Sequence, residues 1–337
     1  VDGPVILSVD AVFALARRVL VTAGLAAPQA EAVARVIAAA ERDGCSNHGL
    51  HRLPGCVETV GSGRLAVAAV PEPRDETPAL VRIDAGYGYA PLAFERGLPL
   101  LAEKARRGGV AALVIANCFH FSALWPEVEA LAAEGLAGLA LTPSHAWVAP
   151  AGGSRGLLGT NPIAFGWPRP DGHPYVFDFA TSAVARSDLA QYRNDGRAIP
   201  EGWGVDRDGA PTTDAQAALD GAMLTFGGHK GSALATMVEL LAGALIGDRT
   251  SVESMAWDGG LKLAPCHGEL ILAFDPAVMA GGDAAPGIAR AEALFAGFAA
   301  QGARLPSARR YAARARSLAD GVAVPRALHD RIATLAG

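Results

Sequence analysis

Residues 79–91 read ALVRIDAGYGYAP. The first eight predict a strand. From Ala90 to Arg107 the residues Leu92, Ala93, Leu98, Leu101 and Ala105 recur on or near one helical face, closed by Gly108-Gly109. Strand, Gly86-Tyr87-Gly88 turn and helix together invite a dinucleotide-binding reading. The rest of that fingerprint is missing. Position 91, where GxGxxG requires its last glycine, is proline, and no acidic residue closes a second strand about 20 residues on. The stretch therefore predicts α/β structure in which this turn is a plain strand-to-helix connection.

Working outward, the same alternation continues. VAALVIAN (110–117), GLAGLALTPS (135–144), YVFDFATS (175–182) and GELILAFDP (268–276) predict strands. Helices are expected over 125–133, 228–247 and 286–302, with a basic helical tail. The first ~75 residues read as helical. Ser8 caps a helix carrying Val9, Val12, Phe13 and Ala16, and Pro28 opens one carrying Ala32, Val33, Val36, Ile37 and Ala40 that stops at Gly44. The turns NDG, PEG and DRDG predict a long surface excursion near 190–220.

Composition narrows the class. The 337 residues are 51% hydrophobic and 19% charged, enough apolar side chain for a sizeable core and too much for disorder. With 29 basic and 34 acidic residues the net charge is -5, which does not suit a protein that grips nucleic acid by bulk charge. No apolar run approaches the ~20 residues that span a membrane, and the opening residues VDGPVILSVDAVFALARR lack the pattern of a signal peptide. Four cysteines without a CxxC pair read as reduced thiols of a cytoplasmic protein.

Several segments carry candidate chemistry. In His48-Gly49-Leu50-His51-Arg52-Leu53-Pro54, histidine can exchange a proton near neutral pH and arginine can clamp a carboxylate with two parallel hydrogen bonds. The alternative is a solvated loop, and His51 reads as a surface residue. His120, Phe121, Ser122, Ala123 and Leu124 follow a strand and open a helix whose free N–H groups can hold an anion. Thr160-Asn161-Pro162 either orients a substrate or forms an ordinary turn. Asp178, Phe179 and Ala180, then Arg186, Ser187 and Asp188, follow a strand. A carboxylate beside His48 would fix its tautomer and favour its charged form, although Asp188 equally suits a helix cap. Gly228-His229-Lys230-Gly231 lacks the GxxxxGK[ST] spacing of an ATPase loop but suits a phosphate at a helix start. No set of residues has metal-ligand spacing, and HExxH and GxSxG are absent, so no metal is expected.

Taken together, HGxxRLP (48–54), TNPIAFGWP (160–168), DFATS (178–182) and FGGHKG (226–231) resemble, in order and over nearly the whole chain, the malate/L-lactate dehydrogenase type 2 family of NAD(P)-dependent oxidoreductases. HFSALWP (120–126) and the run 226–247 look like its Δ1-piperideine-2-carboxylate/Δ1-pyrroline-2-carboxylate reductase branch. The resemblance implies a non-Rossmann α/β fold: a largely antiparallel central sheet with flanking helices and a helical domain built from both chain ends. The corresponding division is 1–78 with 300–337, around a sheet-based NADP-binding unit at 79–299. It also implies a homodimer with no nucleic-acid or membrane partner.

By the same resemblance, His48 is the proton donor, with the residue before it and Asp188 as a charge relay. Arg52 and Thr160 hold the substrate. His120 to Leu124, Asp178 to Ala180, Arg186-Ser187, His229-Lys230 and Arg304, within the segment 301–307, contact the cofactor, NADPH rather than NADH. One position departs from the pattern: Asn47 stands where the family has serine, and an amide cannot pass a proton as a hydroxyl does. The implied reaction is reduction of a cyclic imino acid, Δ1-piperideine-2-carboxylate to L-pipecolate or Δ1-pyrroline-2-carboxylate to L-proline. The rivals are a 2-hydroxy-acid dehydrogenase of the malate, lactate or ureidoglycolate kind and a non-catalytic dinucleotide-binding dimer.

Overall fold

A computed structural model describes residues 3–337; Val1 and Asp2, where the expected terminal unit begins, lie outside the described residues. At its centre is a seven-stranded sheet in the order Pro73–Thr77, Leu80–Asp84, Val110–Phe119, Cys266–Phe274, Ala137–Leu141, Ile163–Trp167, Tyr175–Phe179. The pair Leu80–Asp84 and Val110–Phe119 is parallel, and every other neighbouring pair is antiparallel. The parallel pair is joined by helix Ala90–Gly108, so the stretch at 79–91 opens a single βαβ crossover. Gly109, at φ 82, ends that helix in the left-handed conformation a glycine adopts without strain.

Alternation along the strands buries both faces. Leu113, Ile115, Ile271 and Ala273 pack with Ala93, Leu101, Val128 and Leu131 of helices Ala90–Gly108 and Trp125–Ala133. Val114, Leu141, Ile163 and Leu270 pack on the other side with Val238, Ala242 and Ile246, from helix His229–Glu239 and the turns after it.

The two chain ends share one core. Val12, Leu20, Val33, Ile37 and Leu53 cluster with Val322, Val324, Leu328 and Ile332. Strand Val5–Leu7 pairs antiparallel with Val322–Val324. Neither strand was expected, because three residues are too short to show a period. The stretch 193–215 is largely exposed and also carries regular structure. Strands Gly204–Val205 and Pro211–Thr212 join Ala222–Leu224 and Val148–Ala149 in a second, four-stranded sheet. A small core of Val148, Leu189, Ile199, Ala218 and Met223 lies beside it. The turn-rich sequence hides these strands because each has only two or three residues.

Helix Ala308–Asp320, the last but one in the chain, is fastened through buried charges. Arg310 and Arg314 donate to Asp43 at 2.8 and 2.6 Å and to Glu129, both at 2.5 Å. Burial alone would raise the Asp43 carboxyl, but hydrogen bonds from Arg314 and Arg42 outweigh it and hold it below its ordinary value. A depressed carboxyl contributes stability that is present above its unfolded pKa and is lost as pH falls through its folded one. Asp43→Asn is therefore expected to cost about 3–5 kcal/mol at neutral pH, the scale of breaking a buried pair. Denaturant unfolding of both proteins checks this, and the difference should close below the carboxylate range.

Candidate active site

A cleft of about 390 Å³ opens where the terminal core meets the ends of the central strands. Its walls come from the loop around 47–56, the turn 120–123, the strand ends at 142–147, 160–162 and 178–180, the helix start at 185–187, and the segment 262–267.

Two short 3-10 turns, Ser46–His48 and Leu50–Arg52, connect helix Ala27–Arg42 to helix Leu53–Gly61. Their shape has a local cause. The buried Glu41 carboxylate accepts the Leu50 N–H at 2.7 Å and lies where any side chain at position 49 would stand. Glycine there lets the chain fold against Glu41, which aims His48 and Arg52 into the cleft. Both keep a buried nitrogen without a partner among the described residues, His48 Nδ1 and Arg52 Nε. Burial, followed by the adjacent Arg52 charge, pulls the His48 pKa down to about 4.

Asp188 meets residue 47, the order that the resemblance implies for the relay. Asp188, in the first turn of helix Arg186–Asn194, accepts a hydrogen bond from Asn47 Nδ2 at 2.9 Å. Burial first and the Arg52 charge second therefore favour the neutral ring, the opposite of what a carboxylate in contact with it would do.

His120, Phe121, Ser122, Ala123, Thr160, Asp178, Phe179, Ala180, Arg186 and Ser187 all line the cleft with Asn47, His48 and Arg52. Thr160 is fixed through its carbonyl, which accepts the Thr181 N–H at 2.8 Å. Arg186 lies over the Trp147 ring, 4.5 Å from its centroid, and donates to the Leu219 carbonyl at 3.1 Å. Leu124 is buried and does not line the cleft. Its N–H and that of Trp125 donate to Asp178 Oδ2 at 2.8 and 2.9 Å. The helix start expected to be free for an anion is thus already capped by Asp178, whose pKa burial raises to about 6.

His229 and Lys230 are exposed in the first turn of helix His229–Glu239, outside the cleft. The turn before them meets the rim: Phe226 N–H donates to the Thr181 carbonyl at 3.1 Å, and its ring packs edge-on against Phe179 at 5.8 Å. Arg304 is exposed in the turn before Ser307, whose hydroxyl donates to the Val176 carbonyl at 2.8 Å.

Sequence reasoning missed Thr142, Trp147, Lys262 and His267; His51, read as a surface residue, is exposed and also lines the cleft. It also missed a cluster: the fold brings ligating atoms of His120, Glu127 and Glu269 within 4.8 Å of one another. The available signal was strand Cys266–Phe274, CHGELILAF, where His267 and Glu269 interrupt an otherwise apolar run.

The model of the malate/L-lactate dehydrogenase family matches residues 7–333. The chain belongs to the malate/L-lactate dehydrogenase family. It is therefore an enzyme, an oxidoreductase of that family. Among its relatives, a Delta(1)-pyrroline-2-carboxylate reductase of Pseudomonas fluorescens is 60% identical, with 97% of each chain covered. A Delta(1)-pyrroline-2-carboxylate/Delta(1)-piperideine-2-carboxylate reductase of Pseudomonas aeruginosa is 57% identical, with 98% of each covered. The crystal structure of delta1-piperideine-2-carboxylate reductase from Pseudomonas syringae superposes with a TM-score of 0.94 at 42% identity, covering 98% of this chain and 99% of that one. The mixed α/β architecture is shared with that solved structure. Among the described residues, no helix is long and apolar enough to cross a membrane.

Proposed function

We propose that this enzyme reduces cyclic 2-carboxy imines with NADPH, in preference to NADH, taking Δ1-piperideine-2-carboxylate to L-pipecolate and Δ1-pyrroline-2-carboxylate to L-proline. The observation that carries the reading is the unpartnered buried Arg52 Nε beside the neutral His48 in one cleft. The names of relatives at 57–60% identity agree with it.

Arg52 binds the substrate carboxylate through a charge-assisted fork, and Thr160 lies across the cleft to orient it. His48, being neutral, donates a hydrogen bond toward the imine nitrogen and holds the ring plane. A cyclic imine is more basic than a ketone and enters partly as the iminium, so the weakened relay through Asn47 is tolerated. When bound, a reduced nicotinamide supplies the hydride to C2.

The residues present fit such a cofactor. Helix His229–Glu239 starts at Gly228 without a side-chain cap, and Lys230 stands exposed in its first turn, an arrangement suited to a phosphate. Gly231 allows the preceding turn to close, since a side chain there would collide with the Phe226 carbonyl. Arg304 supplies a second exposed positive charge. Residues 1–78 with 300–337 form, on this reading, the substrate- and dimer-contacting unit, 79–299 binds NADPH, and the active form is a homodimer.

NADPH oxidation against Δ1-piperideine-2-carboxylate, Δ1-pyrroline-2-carboxylate, pyruvate with and without methylamine, and oxaloacetate tests the reading. The imino acids should be preferred at least about tenfold in kcat/KM, or about 1.4 kcal/mol. A keto acid as best substrate would make the chain a 2-hydroxy-acid dehydrogenase instead. Asn47→Ser should change imine turnover by less than about threefold, because Asn47 orients the loop through Asp188 rather than passing protons. A severalfold rise at alkaline pH would show that a hydroxyl relay had been limiting.

A further inference from the structure

Apart from histidines, the aromatic side chains that line the cleft are Phe121, Trp147 and Phe179. Two of them are committed elsewhere. Phe121 is buried in the terminal core, where it meets the Tyr89 ring edge-on at 5.6 Å. Phe179 stands at the rim between Phe177 and Phe226, with ring centroids 5.2 and 5.8 Å away. Trp147 is half-buried and packs on the small core beside the second sheet. The strand ends at 142–147 and 160–162 form a wall distinct from the loop that carries Arg52, and Trp147 is its largest side chain.

The indole is clamped in place. The main-chain N–H of Trp147 donates to the His145 carbonyl at 2.8 Å, and its carbonyl accepts the Met223 N–H at 2.9 Å. Residue 147 is thereby tied to the edge of the second sheet, where Val148–Ala149 pairs with Ala222–Leu224. The His145 ring, itself buried, meets the indole at 88° with 5.0 Å between centroids. The Arg186 guanidinium lies over the indole at 4.5 Å and is anchored in turn on the Leu219 carbonyl at 3.1 Å. A ring held by a cation on its face and a second ring against it cannot swing aside for a larger ligand without giving up both contacts. The part of it that lines the cleft is therefore a fixed wall.

We propose that Trp147 sets the ring size of the substrate, its indole favouring a five-membered cyclic imino acid over a six-membered one. The inference rests on the imine-reductase reading and narrows it. Arg52 fixes the carboxylate at the 47–56 loop, so the methylene arc of the ring extends into the rest of the cleft. That cleft holds about 390 Å³ in all, and it also has to take the nicotinamide end of a cofactor. Little slack is left for an additional methylene against a wall that does not yield. One methylene in an apolar pocket is discriminated on the order of tenfold to two hundredfold. Mobile side chains in the same place would give way and lose most of that selectivity. Trp147 acts by contact with and exclusion of ring carbons, and takes no part in hydride or proton transfer.

The test compares wild type, Trp147→Phe and Trp147→Leu with Δ1-pyrroline-2-carboxylate and Δ1-piperideine-2-carboxylate. Wild type should favour the five-membered ring by about tenfold or more in kcat/KM. Trp147→Leu should shift that ratio by about tenfold or more toward the six-membered ring, with the larger substrate gaining activity in absolute terms. Such a gain is not what a loosened fold produces. Trp147→Phe keeps a flat ring beside Arg186 and should shift the ratio severalfold in the same direction, which carries the test if the leucine variant does not fold. Calorimetric titration with L-proline and L-pipecolate in the presence of NADPH, a combination that cannot react, should show the same reordering of affinities. The proposal is overturned if wild type is indifferent to ring size or prefers the larger ring, or if both substrates lose equally in the variants. It is also overturned if the variants weaken NADPH binding and leave the ratio unmoved, which would make the indole a support for Arg186 and the cofactor. Wild type that reduces keto acids but neither imine brings down the imine-reductase reading and this inference with it. An unmoved ratio in an enzyme that reduces both imines brings down the inference alone.

Discussion

Arg52→Ala is expected to lower kcat/KM for the imino acid by roughly thirtyfold to a few thousandfold. Truncating one partner of a buried, hydrogen-bonded charge pair costs about 2–5 kcal/mol, and each ~1.4 kcal/mol is a factor of ten. The scale applies because Arg52 already lies in the cleft with its Nε buried and unpartnered, so its desolvation cost falls on the free protein. A substrate carboxylate recovers that cost, and no other arginine or lysine shares the 47–56 segment. Arg52→Lys should recover only part of the loss, since an ammonium cannot make the planar two-bond fork. Steady-state kinetics on a carboxylated imine and on the same ring without the carboxylate separate the two causes. The loss should be confined to the carboxylated substrate. An equal loss with both would mean that Arg52 supports the loop rather than the ligand.

His48→Ala should lower kcat/KM by about a hundredfold or more, the usual scale of a positioned proton-handling group. The pH behaviour is the sharper part of the expectation. Burial and the Arg52 charge hold the ring pKa near 4. His48 is thus neutral throughout the neutral and alkaline range and becomes charged only as pH falls through about 4. Its ionisation should leave no inflection in kcat/KM between about pH 6 and 9. An inflection near the ordinary histidine value that disappears in His48→Ala would show that substrate or cofactor binding reverses the shift.

Much of the scaffold was legible from residue order. The helical start, the crossover at 79–109 and the long strands follow from periods that persist over eight or more residues. What escaped was short or non-local. Val5–Leu7 finds its partner more than 300 residues away, and the second sheet is assembled from two- and three-residue strands. In the site, His48 and Arg52 stood out because histidine, glycine and arginine lie within five residues. His267, Lys262 and Trp147 carried no comparable local pattern, and their place in the cleft depends on which strand ends the sheet brings together.

Charge state was the least legible property. The resemblance puts the residue before His48 between it and Asp188, and Asn47 does donate to Asp188, yet a ring that a carboxylate would favour as charged has its pKa lowered, by burial first and the Arg52 charge second. Asp178 lines the cleft, and tertiary packing also makes it the acceptor for the helix start that the sequence left free. By itself the sequence determined the α/β alternation, the loop that carries His48 and Arg52, and the ordered motifs that point to an oxidoreductase. Only the tertiary structure decided which of its ionisable groups are charged, because a pKa depends first on burial, which is set by how separate elements pack, and then on neighbours whether near in the chain or far.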